Sequence, residues 1–195
     1  MYLVLLATAL NFQCFLHYVQ KASGVEIKKD FSFYHGRQTK KQHLEILLKK
    51  IWNNGEPNST ILALSWMESR LRPFVRRGDA GQACGTFQIH ARHSYPMFRR
   101  KSGYRNWKPK SQKHKRLVNQ ECRKLETLDY SINTLEKYLD LFNKHKKHPC
   151  HHNSGIKGKC NLWYKKRLNY FLAYFELSKT LCKNIPQHVL AKMYP

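Results

Sequence analysis

The sequence predicts an all-α protein, and three observations carry that prediction. Apolar residues recur at spacings of three and four in the long segments, no strand-like alternation is sustained, and Gly and Pro punctuate the periodic runs. The chain has 195 residues, which suits one domain of ordinary size.

The first 24 residues form an N-terminal segment of their own. Tyr2 to Phe12 is an apolar run, broken at Gln13, resumed through Val19 and followed by Lys21 and the small residues Ala22, Ser23 and Gly24. That pattern fits a secretory signal cleaved after Gly24. No Lys or Arg precedes the run, so an uncleaved membrane anchor or a buried first helix stays open. Either export reading places residues 25–195, expected as one domain, outside the cytoplasm.

A helix is predicted over His43 to Asn53, where Leu44, Leu47, Leu48 and Ile51 make one apolar face and Asn54-Gly55-Glu56-Pro57 ends it. Ser59 is placed to cap a second helix through its side-chain oxygen. There Ile61, Leu64, Ser65 and Glu68 share a face at offsets of three, four and seven, and Pro73 announces the helix end. A carboxylate near a helix C-terminus meets the negative end of the helix dipole, and partial burial strips its water; both favour the protonated acid. A solvated glutamate paired with Arg70 or Arg72 has the same sequence signature.

Arg99 to Lys124 is a basic connection containing KPKSQKHKR, read as a loop or short helices and either a solvated face or a polyanion contact. A long amphipathic helix follows between Leu125 and His145, with Leu125, Leu128, Ile132, Leu135, Leu139 and Phe142 as a core face. The last major helix is predicted from a cap at Asn161 to about Cys182, burying Leu168, Phe171, Leu172 and Phe175. Its tyrosines, Tyr164, Tyr170 and Tyr174, are candidates to reach a cleft.

Charge and cysteines bound the function. Against 12 Asp+Glu stand 36 Lys+Arg, a formal charge of +24 that draws the surface toward polyanions: nucleic acid, anionic headgroups or bacterial envelope polymers. Beyond Cys14 there are Cys84, Cys122, Cys150, Cys160 and Cys182, an odd set that allows at most two bridges. Cys150 and Cys160 bracket the loop HHNSGIKGK and are the favoured pair. A fully reduced set is the alternative, since the compartment is itself inferred.

Three sets of residues then carry a resemblance. Glu68-Ser69, Gly81 and Gly85-Thr86-Phe87-Gln88-Ile89 resemble the pattern of lytic transglycosylases in the lysozyme superfamily, relatives of goose-type lysozyme, where Glu-Ser precedes a Gly-Leu-Met-Gln-type segment by a similar gap. Asn133 with Tyr138-Leu139 is similar to the family helix that carries an asparagine ahead of Tyr-Leu, and His152-Asn153-Ser154-Gly155 to its Tyr-Asn-x-Gly loop. The resemblance spans about residues 42 to 175. His152 replaces the family's tyrosine, His148-Pro149-Cys150-His151 replaces its alanine-rich approach, and Cys84 stands where a small residue is common.

The resemblance implies a lysozyme-like helical domain with a central active-site cleft. It implies that Glu68 protonates the bond between N-acetylmuramic acid and N-acetylglucosamine in peptidoglycan, then acts as base while the muramic 6-hydroxyl closes a 1,6-anhydro end. Most glycosidases need two carboxylates; here the nearest acid after Glu68 is Asp79, with none again until Glu121. Ser69 and Gln88 would help hold the sugar or the carboxyl group, Asn153 would bond an N-acetyl or ring substituent, and Tyr164, Tyr170 or Tyr174 would support the cleft. Gly85 would admit the substrate close to the backbone, with Phe87 packed beneath. No cofactor or metal is implied, and the expected state is a monomer acting on peptidoglycan, with anionic envelope polymers as further partners.

Three other readings share these residues. A hydrolytic goose-type muramidase would use Asp79 to position water, and a non-catalytic basic protein would bind nucleic acid or envelope polyanions without Glu68, nucleic acid being the less expected partner. His145, His148, Cys150, His151, His152 and Cys160 would have to gather a zinc ion, but their spacing matches no standard ligand pattern. An exported wall-cleaving chain, periplasmic or secreted, suits a bacteriophage lysis apparatus, a secretion system or housekeeping remodelling alike.

Overall fold

The structure, a computed structural model, describes residues 2–22, 40–53, 56–72, 76–78, 81–91, 112–154 and 159–184. In chain order these residues form α1 (Tyr2–Ala22), α2 (Lys40–Ile51), β1 (Trp52–Asn53), β2 (Glu56–Pro57), α3 (Ser59–Ser69), β3 (Ala83–Cys84) and β4 (Ile89–His90). Then come α4 (Gln112–Leu125), α5 (Leu128–Lys144), the short α6 (His151–Ser154) and α7 (Leu162–Asn184). The chain is mostly helical, as an all-α class requires. It divides into two compact units, Met1–Leu71 with Leu162–Pro195, and Arg72–Asn161.

In the first unit α3 lies at the centre. Ile61, Leu62, Ala63, Leu64 and Ser65 are all fully buried, so the middle of the helix is covered on every side rather than along one face. Its start is set by Asn58, whose Oδ1 accepts from the backbone N–H of Thr60 and Ile61 at 3.1 and 3.2 Å. Asn58, not Ser59, is therefore the cap, and the Ser59 hydroxyl is buried without a hydrogen-bond partner among the described residues. The chain reaches Asn58 through a minimal antiparallel hairpin, Trp52 opposite Pro57 and Asn53 opposite Glu56, strands too short to leave a periodic trace.

Leu44, Leu47, Leu48 and Ile51 of α2 are buried as the periodicity predicts, and the row also takes in His43. Burial pushes the His43 imidazole down to about 4. Helix α7 turns Tyr164, Leu168, Phe171, Phe175 and Cys182 into the core, while Lys179 and Lys183 pair with Glu56 of β2. Hydrogen bonds from Lys183 and Lys179 hold the Glu56 carboxyl below the usual range.

Residues 1–24, expected as a signal or anchor, contain α1, and its second half is core material: Cys14, Phe15, Leu16 and Val19 are buried. Cys14 is bonded to Cys182, and Tyr174 of α7 donates to the Tyr18 carbonyl at 3.0 Å. The remaining sulfurs pair as Cys84–Cys122 and Cys150–Cys160, with no free cysteine. The limit of two bridges is thus corrected to three, because Cys14 belongs with the other five. Among the described residues no helix is long and apolar enough to cross a membrane.

In the second unit part of the basic connection is helical, since Val118, Cys122 and Leu125 give α4 a buried row that its lysines and arginines disguise. The expected helix from Leu125 to His145 starts instead at Leu128, and Leu125 ends α4. Along α5, Ile132, Leu135, Tyr138 and Phe142 are buried, so Tyr138 occupies the core position assigned to Leu139. Arg77 holds the α4 end through Glu126 at 2.7 Å and Asn119 at 2.9 Å.

Candidate active site

Glu68 sits in the last turn of α3, which stops because Arg70 and Leu71 adopt left-handed backbone, φ 52° and 59°. The Arg70 N–H closes the helix by bonding the carbonyls of Ser65 and Trp66. Its place in the last turn follows from that stop, with the carboxylate at the negative end of the helix. The side chain is half-buried.

Its partner comes from the first turn of α7. The buried Tyr164 hydroxyl donates to Glu68 Oε1 at 2.5 Å. Burial, the adjacent Glu68 charge and this hydrogen bond all push the Tyr164 phenol well above its ordinary range. The hydroxyl therefore stays protonated, a donor, around neutral pH. One turn before Glu68, the buried Ser65 hydroxyl has no hydrogen-bond partner among the described residues.

The same two helices also carry an aromatic cluster. Trp66 stacks on Phe171 with centroids 3.6 Å apart and donates its indole N–H to the Ala22 carbonyl at 2.9 Å. The Arg167 guanidinium lies 4.9 Å from the Trp66 ring and 5.1 Å from the exposed Trp163 ring, held between two indoles. Sequence reasoning passed over this arrangement. Its signals were the Trp163–Arg167 spacing of four on one helix and Trp66 two residues before Glu68.

The other predicted residues have particular duties. Tyr170 is exposed and stands edge-on to Phe171 at 5.2 Å. Ser69 is buried, its hydroxyl donating to the Ser65 carbonyl at 2.8 Å, so it closes its own helix. Gly85, Gln88 and Asn153 belong to the second unit. At Gly85, φ is 73° and a Cβ would lie 2.0 Å from the Leu125 carbonyl oxygen; the close approach that needs glycine is therefore to protein backbone.

Gln88, itself at φ 46°, braces the Gly85–Gln88 turn: its Oε1 accepts from Gly78 N–H at 2.9 Å and its Nε2 donates to the Gly85 carbonyl at 3.0 Å. Phe87 is buried beneath the turn, and His152 Nε2 is 2.7 Å from the Phe87 carbonyl oxygen. That contact, from the position where a tyrosine was expected, ties α6 to the turn. Asn153 lies on α6, its side chain outside the described residues, as is all of Asp79. Asn133 is exposed on α5.

Within the zinc-candidate set, His148, Cys150 and Cys160 bring donor atoms within 4.8 Å of one another. The two sulfurs are bonded to each other and His148 Nδ1 accepts from the Cys150 N–H at 3.1 Å, so this form offers no thiolate ligand. An open depression of about 630 Å³ on α4 is lined, among the described residues, by Gln112, Arg116, Leu117 and Gln120, none of them acidic. Comparison with protein families, curated proteins and solved structures finds no match to this chain.

Proposed function

We propose that the chain is a peptidoglycan lytic transglycosylase acting outside the cytoplasm, with Glu68 as its single acid and base. The observation that carries this reading is the Tyr164 hydroxyl on Glu68 Oε1 at 2.5 Å, on a half-buried carboxyl in the last turn of α3. With Oε1 occupied, Oε2 is the oxygen that exchanges the proton. It protonates the glycosidic oxygen between N-acetylmuramic acid and N-acetylglucosamine as the bond to the anomeric carbon breaks. The same oxygen then takes the proton of the muramic 6-hydroxyl as that oxygen bonds to the anomeric carbon, which restores the acid and consumes no water.

The lysozyme-like architecture with a central cleft is part of this proposal. Tyr170 offers an exposed ring face to a sugar. Ser69, Gly85 and Gln88 act by fixing backbone, given the bonds that occupy them. Three disulfides suit an oxidising compartment. The +24 charge suits an anionic wall. Glu68→Gln is the test: it should abolish release of soluble fragments from peptidoglycan while circular dichroism and wall binding stay unchanged. Release at a near-normal rate by a folded Glu68→Gln protein removes the glutamate, and with it the mechanism.

A further inference from the structure

Helix α7 carries two parallel rows of large side chains. The core row, Tyr164, Leu168, Phe171, Phe175, Ser178 and Cys182, is buried throughout. A second row, Trp163, Arg167, Tyr170, Tyr174, Leu177 and Leu181, precedes each core residue by one position and so lies about 100° around the helix. In it Trp163 is 62% exposed, Tyr170 65%, Leu177 59% and Leu181 39%, and Leu162 at the helix start is 66% exposed. Single exposed apolar residues are ordinary, but four exposed ones spread over about 27 Å of one helix, with half-buried Arg167 and Tyr174 between them, mark an interaction surface.

Charge selects the occupant. A second copy of the chain would match the spacing of three and four, but it would bring +24 against +24. An anionic partner reverses that sign. Hydrophilic polyanions would leave Leu177 and Leu181 in water, whereas a bilayer surface takes in leucine side chains, places indole and phenol rings at its headgroup level and attracts the basic residues Lys166 and Arg167.

We propose that the exposed row of α7 is a docking surface for an anionic phospholipid bilayer, on which the helix lies in the plane of the headgroups. This is peripheral attachment; it rests on Trp163, Leu177 and Leu181 and leaves Tyr170 to the glycan-cleaving reading.

The test is co-sedimentation of the full chain with vesicles of phosphatidylcholine alone and with about one third phosphatidylglycerol. The wild-type chain should bind the anionic vesicles far better, and Leu177→Ser with Leu181→Ser should weaken that binding about tenfold or more with circular dichroism unchanged. The fluorescence that Trp163→Phe removes should be quenched by brominated lipid in the wild-type complex. Binding by the double variant equal to wild type, or no bromine quenching, overturns the proposal in favour of charge alone. A wild-type dimer in sedimentation velocity that the double variant dissolves, without vesicle binding, overturns it in favour of a second copy. Loss of duplex DNA binding in the same variant, again without vesicle binding, overturns it in favour of a hydrophilic polyanion.

Discussion

Acidification from pH 7 to pH 4 should cost the fold about 3 kcal/mol through His43 alone. This imidazole is 2% exposed on α2, and burial lowers its pKa from 6.5 to about 4. The unfolded chain binds the proton near pH 6.5, whereas the folded chain resists it until about pH 4. Stability contributed by the neutral side chain is therefore fully present above about pH 6.5, falls as pH drops through that window and levels off below about 4. At about 1.36 kcal/mol for each pKa unit, the limiting loss is a little over 3 kcal/mol, a large share of the roughly 5–15 kcal/mol that holds a domain together. Urea denaturation of the wild type and His43→Gln at pH 7, 6, 5 and 4 isolates the effect, because other titrating groups are common to both. Wild type should lose about 3 kcal/mol more than the variant over that range. Parallel stability curves would refute the reasoning. Since α2 belongs to the unit that holds Glu68 and Tyr164, loss of activity at acid pH should track this loosening.

Other perturbations bear on single contacts. Tyr164→Phe removes the donor to Glu68 and should lower kcat/KM about ten- to a hundredfold with the fold intact, the range expected for a hydrogen bond to a charged group; unchanged turnover would make the phenol irrelevant. Gly85→Ala drives a Cβ against the Leu125 carbonyl at a φ that disfavours it, and should destabilise the second unit by about 3 kcal/mol or more; an unchanged Tm would show the turn to be less constrained. Cys14→Ser with Cys182→Ser opens a closure spanning 168 positions, for which the chain-entropy relation gives about 5 kcal/mol. An unmoved urea midpoint would show that α1 does not depend on the bond.

How much of this was legible follows from what each signal measures. Periodicity reports which side chains face a core, so the rows of α2 and α5 were visible, whereas α3 is buried all round its middle and has no single face to read. Periodicity does not report partners, so Tyr164, Tyr170 and Tyr174 looked equivalent although only Tyr164 points inward to Glu68 and Tyr174 reaches Tyr18. Helix α4 was hidden because its buried row is thin and its lysines and arginines dominate the composition. The break at Glu126 and Thr127 carries no Gly or Pro, and Asn58 competed with Ser59 as two good caps side by side. Cys150 and Cys160 are brought together by chain proximity, whereas Cys14 and Cys182 meet only through the packing of two helices from opposite ends of the sequence. Gln88 and Gly85 read from the sequence as substrate contacts; their service to the backbone was visible only once Gly78 and Leu125 were in place.

The most direct measurement of the central claim is mass spectrometry of the soluble products after the purified full chain is incubated with peptidoglycan. Fragments ending in 1,6-anhydromuramic acid are expected, since a single carboxyl that returns its proton through the 6-hydroxyl leaves no place for water. Reducing-end muramic acid would contradict that route and make the reaction hydrolysis, and the absence of any released fragment would contradict glycan cleavage altogether.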